Sequence, residues 1–509
     1  MQKKQTILVV ASLLVVVLSV TLAYFTAQII GKGKNVTINS ADLKIVFTDS
    51  DGSISGSNIE PGKWNVTKTF TIENKSNETY KYNIVIQDLV NTFVTNGYLQ
   101  YKITSTNGGY NMTEFKDIPK SETAKDTILA YSVSIPVGVT QSYTVEFKYA
   151  NDESVDQSED MGKTLSGKLF ITEGTEEPTL LSQILKDNPT RSTRSNNNNG
   201  TNDFATPLTT TTTGTLFTST ESITGITDSP KEVYYFAGNT TKNWVKFANL
   251  YWRIIRTNHD SSIRLLYVGT SPDTTSGNIG TSKFNTSYNS PKYVGYKYGE
   301  DTSLDTIRNN TTDSTIKTYV DNWYKNNLSS YSKYISTSAV YCNDRSLGTG
   351  QTYSASADFN FAPYYRMDYD TDGASSNPSY NCTDIRDAFS VDNTNAKLDY
   401  PISLMTADEI AYAGGVAYQT MSTPYAWFIS NSAGTQVSSY WWSLSPVDWL
   451  GSVALVWGWR SDFAHLGYSG VGGSVAVRPA ISLKSCIKYS TGNGTYNEPY
   501  EIKETTSGC

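Results

Sequence analysis

Two histidines, four cysteines, one adjacent pair of acids and one stretch of tryptophan and glycine hold whatever chemistry this chain can do. His259 and His465 are the only histidines. A histidine metal site or a Ser/His/Asp triad would rest on one of them alone. His465 has no evident partner as a general base and reads as an exposed or ligand-contacting side chain. Cys342, Cys382, Cys486 and Cys509 all lie in the last third, and none are in CxxC spacing, which disfavours zinc. In an oxidising exterior they would form two disulfides, Cys342–Cys382 and Cys486–Cys509, with free thiols in a reducing habitat as the alternative. Asp408 and Glu409 are consecutive, so on a helix they do not face each other and read as charges capping its first turn. No catalytic residue, metal or cofactor is expected.

The remaining candidate is Tyr440–Leu483. It carries Trp441, Trp442, Trp449, Trp457 and Trp459, five of the ten tryptophans, together with Gly451, Gly458, Gly467, Gly470, Gly472 and Gly473. Between Ser443 and Pro479 it contains no Lys, Glu, Gln or Met. Trp457 and Trp459 are two apart, so on a strand they share a face. Large rigid aromatics beside nearly bare backbone suit an adaptable binding surface. The competing reading is that the tryptophans fill a β core and the glycines mark turns.

The elements that must position these residues follow from length and composition. A chain of 509 residues is too long for one core. Charged residues are only 17%, Tyr reaches 36 residues, and Thr, Ser and Asn are plentiful, which points to β-rich extracellular material. A net charge of −7 without a basic stripe argues against nucleic acid as a partner.

Ile7–Phe25 is an uncharged apolar run behind Lys3 and Lys4, so residues 1–30 read as a signal peptide or membrane anchor helix. Residues 31–173 read as short strands, among them Leu43–Phe47, Trp64–Glu73, Tyr80–Gln87, Leu99–Thr104 and Gln141–Tyr149. Such spacing predicts an antiparallel sandwich. Residues 174–230, with Asn196–Asn199 and Thr209–Thr213, read as a disordered Thr/Asn-rich linker holding the next domain away from the cell wall. From residue 231 to 503 the pattern is α+β, with 504–509 a tail. Trp244–Ile255 and Ile263–Val268 read as two strands. Ser314–Asn327 reads as a helix capped by Ser314. Tyr400–Val416 reads as a strand followed by a helix opening at Thr406 and ending at Gly414-Gly415.

Lys3-Lys4, the apolar run ending TLAYFT, the strand ADLKIVF and the strand PGKWNVTKTFTIEN resemble the TasA/camelysin family of secreted Gram-positive proteins. The resemblance implies a signal peptide processed by a SipW-type peptidase, a jelly-roll-like β-sandwich over 31–173 and possible self-assembly into fibres. Camelysin is described as a metalloprotease, but no HExxH is present, and protease activity is not carried over.

NWVKFANLYWRIIR, SIRLLYVGTSP, TIKTYVDNWYKNNL, YPISLMTADEIAYAGG, YWWSLSP and VRPAISLK resemble the C-type-lectin-like domain of surface proteins from gut bacteria, close to the formylglycine-generating-enzyme type. Calcium-dependent sugar binding is not implied, because Glu-Pro-Asn, Gln-Pro-Asp and Trp-Asn-Asp are missing from 440–483. Oxidase chemistry is not implied either, because Cys342 and Cys382 lie in polar loops without local basic support. Some proteins with this ending are targets of diversity-generating retroelements, in which adenines of a template are substituted. Every residue from Ser443 to Pro479 except Trp449, Trp457 and Trp459 can be reached from an AAC codon.

These readings together describe a multi-domain, non-enzymatic, cell-surface or secreted binding protein. Its ligand face would comprise Val447, Asp448, Trp449, Leu450, Val453, Leu455, Trp457, Trp459, Arg460, Asp462, His465 and Tyr468. Arg478 would be a structural ion-pair residue. The expected partner is a protein or glycan on another cell, phage or host surface, with the membrane as a further partner if the N-terminal helix is not cleaved. The alternatives are a structural subunit of an extracellular fibre and an enzyme on the formylglycine-generating fold.

Overall fold

The computed structural model describes residues 36–38, 43–47, 52–55, 59–195, 203–367, 377–437 and 439–509. Strands make up 37% of it and helices 12%, so the chain is mostly β. It divides into two compact units, with Glu177 ending the first and Pro178 beginning the second. The apolar run Ile7–Phe25 and Asn196–Asn199 lie outside the described residues. Among the described residues no helix is long and apolar enough to cross a membrane.

In the first unit β1 (Val36–Ile38), β2 (Leu43–Phe47), β3 (Asn65–Asn74), β4 (Tyr80–Asn91), β5 (Leu99–Ser105), β6 (Lys116–Asp117), β7 (Ser121–Ile135), β8 (Thr140–Tyr149) and β9 (Leu165–Glu173) form two antiparallel sheets. One runs β1-β2-β3-β8-β5-β6 and the other β7-β4-β9. Alternation along β8 buries Tyr143, Val145, Phe147 and Tyr149 against Ile84, Ile86, Leu169 and Ile171 from the second sheet, which gives one shared core. Its buried hydroxyls pair with each other: the Tyr82 and Tyr143 oxygens lie 2.5 Å apart, and Tyr82 also donates to Gln141 Oε1 at 2.6 Å.

The second unit is built on a ten-stranded mixed sheet and a six-stranded sheet that share a core. Trp244–Phe247 and Leu250–Thr257 form a hairpin, where the sequence pattern suggested one strand. The break is Ala248-Asn249, both at positive φ (56° and 58°), the geometry of a tight two-residue turn. Ile263–Gly269 then pairs with Leu250–Thr257 on one side and Pro479–Leu483 on the other. The helix Thr315–Asn327 is capped by Ser314, whose side chain accepts from the Lys317 amide at 3.1 Å.

The expected linker is corrected over most of its length. Glu176 pairs with Lys81, and Thr175 bonds Asn83, so the chain stays on the first unit almost to its end. Leu180–Asp187 is a helix that buries Leu180 and Ile184, and Thr190–Thr193 and Thr215–Glu221 are strands of the ten-stranded sheet. The segment is ordered because its scattered apolar residues, Leu180, Ile184, Leu216 and Phe217, are buried against residues distant in sequence, which composition alone does not reveal. The Cys342–Cys382 and Cys486–Cys509 disulfides are both formed. The second ties the 504–509 tail down, where the Tyr334 hydroxyl also donates to the Thr505 carbonyl at 2.9 Å.

Candidate functional site

Trp441–Trp449, Ala454–Arg460 and His465–Gly470 form consecutive strands of the six-stranded sheet, and all nine residues of the first are buried. This overturns half of the expected ligand face. Val447, Asp448, Trp449, Leu455, Trp457 and Trp459 lie in the interior. Burying an indole is worth roughly 4–6 kcal/mol of transfer free energy, so core packing takes these side chains wherever two sheets offer a dry interior. Asp448 is held inside by the Asn360 amide.

The other half lies at the surface. Leu450 is 44% exposed and Tyr468 39%, Asp462 is exposed, and Val453, Arg460 and His465 are half-buried. The structure adds three residues that the sequence did not nominate: Phe463, Tyr418 and Tyr440. Phe463, in the Ser461–Ala464 turn, is 53% exposed, and a turn position was the signal that could have found it. Tyr418 lies outside the tryptophan-rich stretch and gave no signal.

These side chains form one run of contacts. The Arg460 guanidinium lies between the Tyr440 and Phe463 rings, 5.0 and 5.1 Å from their centroids. Phe463 stacks on His465, and His465 meets the edge of Tyr418 at 6.0 Å. Tyr418 in turn meets Tyr468 at 6.2 Å, and both rings rest on the buried Trp457. Arg460 is closed by Asp462 at 2.7 Å, so the run presents rings rather than free charge. Burial, then the Arg460 charge, lowers the His465 pKa and favours the neutral imidazole. Of the cross-strand pair Gly458–Gly467, a Cβ on the first meets backbone and one on the second a movable side chain. A Cβ on Gly458 would lie 2.6 Å from the Trp441 carbonyl, and one on Gly467 2.7 Å from the Arg460 stem.

A second group of reactive residues lies in a small cleft lined by Arg256, Arg264, Cys342, Asp344, Arg366 and Asp408, among others. Asp408 and Glu409 lie in the first turn of their helix, as expected of capping charges, and are in addition buried partners of arginines. Glu409 completes the capping box of the helix Ala407–Ala413, and its Oε1 also accepts from Arg256 Nε at 2.8 Å and Arg264 Nη1 at 2.5 Å. Asp408 takes a bidentate bond from Arg366, which also reaches Asp344 at 2.7 Å. His259 lies against Glu221, 3.5 Å away, on the same network. Cys342 therefore does have basic neighbours, contrary to expectation, but each guanidinium is engaged by a carboxylate and the sulfur is in a disulfide.

Arg478 is also corrected. It is buried with no ion pair among the described residues, donating instead to the Phe428 carbonyl at 2.5 Å and the Tyr267 carbonyl at 3.1 Å. Burial pushes its pKa down to about 9. Asp313, Asp321 and Asp399 are close enough to hold a metal ion, but the Lys317 ammonium sits among them at 3.0, 2.6 and 2.6 Å. Compared with known proteins, the chain matches no family model, no curated protein and no solved structure.

Proposed function

We propose that this chain is a non-enzymatic binding protein of the cell surface, and that its ligand face is the ring-bearing hairpin Ala454–Gly470 with Tyr418 and Tyr440 beside it. The observation that carries the reading is the run Tyr440, Arg460, Phe463, His465, Tyr418 and Tyr468. Aromatic and arginine side chains dominate interface hot spots, and five of the chain's exposed large apolar residues (Tyr288, Tyr418, Leu450, Phe463 and Tyr468) belong to this region or its flanks. The two disulfides favour an oxidising, extracellular setting.

The resemblance to lectin-like variable proteins supports a further part of the same reading, that the segment is diversified. Diversification then falls on the surface positions Leu450, Val453, Arg460, Asp462, Phe463, His465 and Tyr468, whether exposed or half-buried. The buried tryptophans are constant framework, since a change there opens a cavity costing about 3–5 kcal/mol. The test is deep sequencing of codons 440–483 across a population of the source organism. Variation confined to those surface positions is expected. A uniform segment, or variation concentrated on buried positions, would sink diversification and leave a fixed-specificity adhesin.

A further inference from the structure

The strand His465–Gly470 has an edge that the chain itself covers only halfway. Leu466 donates to the Val416 carbonyl at 3.2 Å and accepts from the Tyr418 amide at 3.0 Å, and Ala464 accepts from the Met421 amide at 2.8 Å. In an antiparallel strand alternate residues turn their amide and carbonyl to the same side. Ala464, Leu466, Tyr468 and Gly470 therefore face outward, while His465, Gly467 and Ser469 face Ala454–Arg460. At Tyr418 the covering segment turns off through a positive φ of 57°, after the single bridge Ala417–Leu466. Among the described residues no backbone bond reaches the outward amide or carbonyl of Tyr468, or the outward amide of Gly470. The Gly470 carbonyl is taken by the Gly473 amide at 2.9 Å.

We infer that this open edge beside Tyr418 is a strand-addition site, and that its occupant is an extended segment of a partner protein. The inference rests on the ligand face proposed above and names its partner class. An extended peptide laid along the edge would exchange main-chain bonds with Tyr468 and Gly470, continuing the ladder that residues 416–418 begin. Gly467 and Gly470 leave the backbone bare for close approach. Tyr418 and Tyr468 flank the edge with exposed rings, and the Arg460–Asp462 pair leaves no free charge there. The segment that fits is uncharged, with apolar or aromatic side chains at alternate positions. Unprotected edges of this kind invite pairing, and natural folds otherwise blunt them.

The experiment selects binders to the intact chain from a phage-displayed library of linear peptides, then measures synthetic peptides against Tyr468→Ala and Tyr468→Pro. Both variants lose the ring, and only the proline loses the outward amide, at an edge position that tolerates it. The expected result is binding to the wild type, with Tyr468→Pro weaker than Tyr468→Ala by at least about fivefold. Methylating alternate amides of the peptide is expected to give a similar loss with the protein unchanged, which guards against misfolding of the proline variant. Equal affinities for the two variants, insensitivity to amide methylation, or no linear peptide enriched would overturn strand addition. Self-association of the chain that Tyr468→Pro abolishes would also overturn it, assigning the edge to a second copy. If folded-scaffold binders respond to Phe463→Ala while linear peptides do not bind, the ligand face stands without strand addition. If neither library gives binders sensitive to Phe463 or Tyr468, the face itself falls.

Discussion

The Phe463 ring lies nearly parallel to the His465 imidazole, with centroids 5.4 Å apart and planes 12° from each other. Two residues apart in sequence, they meet because the intervening Ala464 takes a positive φ of 48°. The stack joins the cation–π half of the proposed ligand face, at Arg460, to its tyrosine half, at Tyr418 and Tyr468. Backbone outliers at Ala464 and Tyr418 on either side of His465–Leu466 are what shape that surface.

Tyr418 should therefore hold its conformation at a cost. A bulky side chain in the left-handed region is strained by about 1 kcal/mol or more, and glycine is not. Tyr418→Gly is expected to match or exceed wild-type stability in urea, while Tyr418→Ala falls below it. A Gly variant clearly less stable than the wild type would show that the ring stabilises the fold by more than the strain costs, and one no more stable than the Ala variant would show that the left-handed backbone is not strained there.

The buried indoles should divide into two classes. Trp427 Nε1 donates to the Phe236 carbonyl at 2.8 Å and Trp442 Nε1 to the Ser282 carbonyl at 2.9 Å. The indole nitrogens of Trp441, Trp449, Trp457 and Trp459 have no hydrogen-bond partner among the described residues. Replacing Trp427 with Phe should cost about 1–2 kcal/mol more than replacing Trp457, because it also strands a carbonyl. Denaturant melts of the two variants decide it.

Acid should weaken the second unit through Glu221. Burial raises its pKa, but the Arg256 charge and hydrogen bonds from His259 and Arg256 overcome this and hold it at about 2, against 4.5 when unperturbed. The folded value is the lower one, so the contribution is complete above pH 4.5 and is lost as pH falls towards about 2. Its size is about 3 kcal/mol. Stability measured against pH should fall through that window, and Glu221→Gln should flatten the fall while lowering stability at pH 7.

Lys317 should matter more than any exposed lysine. It is fully buried and balances three aspartates. Lys317→Met is expected to cost about 3–5 kcal/mol at pH 7.5, the penalty for leaving buried charge unpaired. Burial, with Asp399 and Asp313 nearby, pushes the Asp321 pKa up to about 6 against the Lys317 charge. The folded value is the higher one, so ionised Asp321 disfavours folding above pH 6, and that cost disappears below 3.8. The Lys317→Met defect should therefore shrink in melts at pH 4.5. A pH-independent defect would mean that lost packing, not charge, dominates.

The Cys342–Cys382 disulfide closes a loop with a sequence separation of 40. A chain-entropy estimate for a loop of that length is about 4 kcal/mol. A double Cys→Ser variant should lose about 2–4 kcal/mol in denaturant melts. A loss under 1 kcal/mol would mean that the loop is already ordered when unlinked.

The sequence by itself determined the mostly β character, several strands of the first unit, the Ser314 and Thr406 helix caps and the stretch that carries the exposed rings. Each rests on a local rule: alternation, a cap three residues from its amide, or turn chemistry. What it could not determine is which side of each strand meets the core. Trp457 and Tyr468 are cross-strand partners on one sheet, yet the first is buried and the second is 39% exposed, because the segment that covers Leu466 on the outer strand turns away before Tyr468. The same limit hid the role of Asp408 and Glu409, whose arginine partners lie far away along the chain. It also made 174–230 read as a tether, since burial of a sparse apolar segment depends on a surface supplied by residues elsewhere. Periodicity encodes local conformation; the assignment of a face to core, ligand or solvent is set by what packs against it, and that is fixed only when the sheets have assembled.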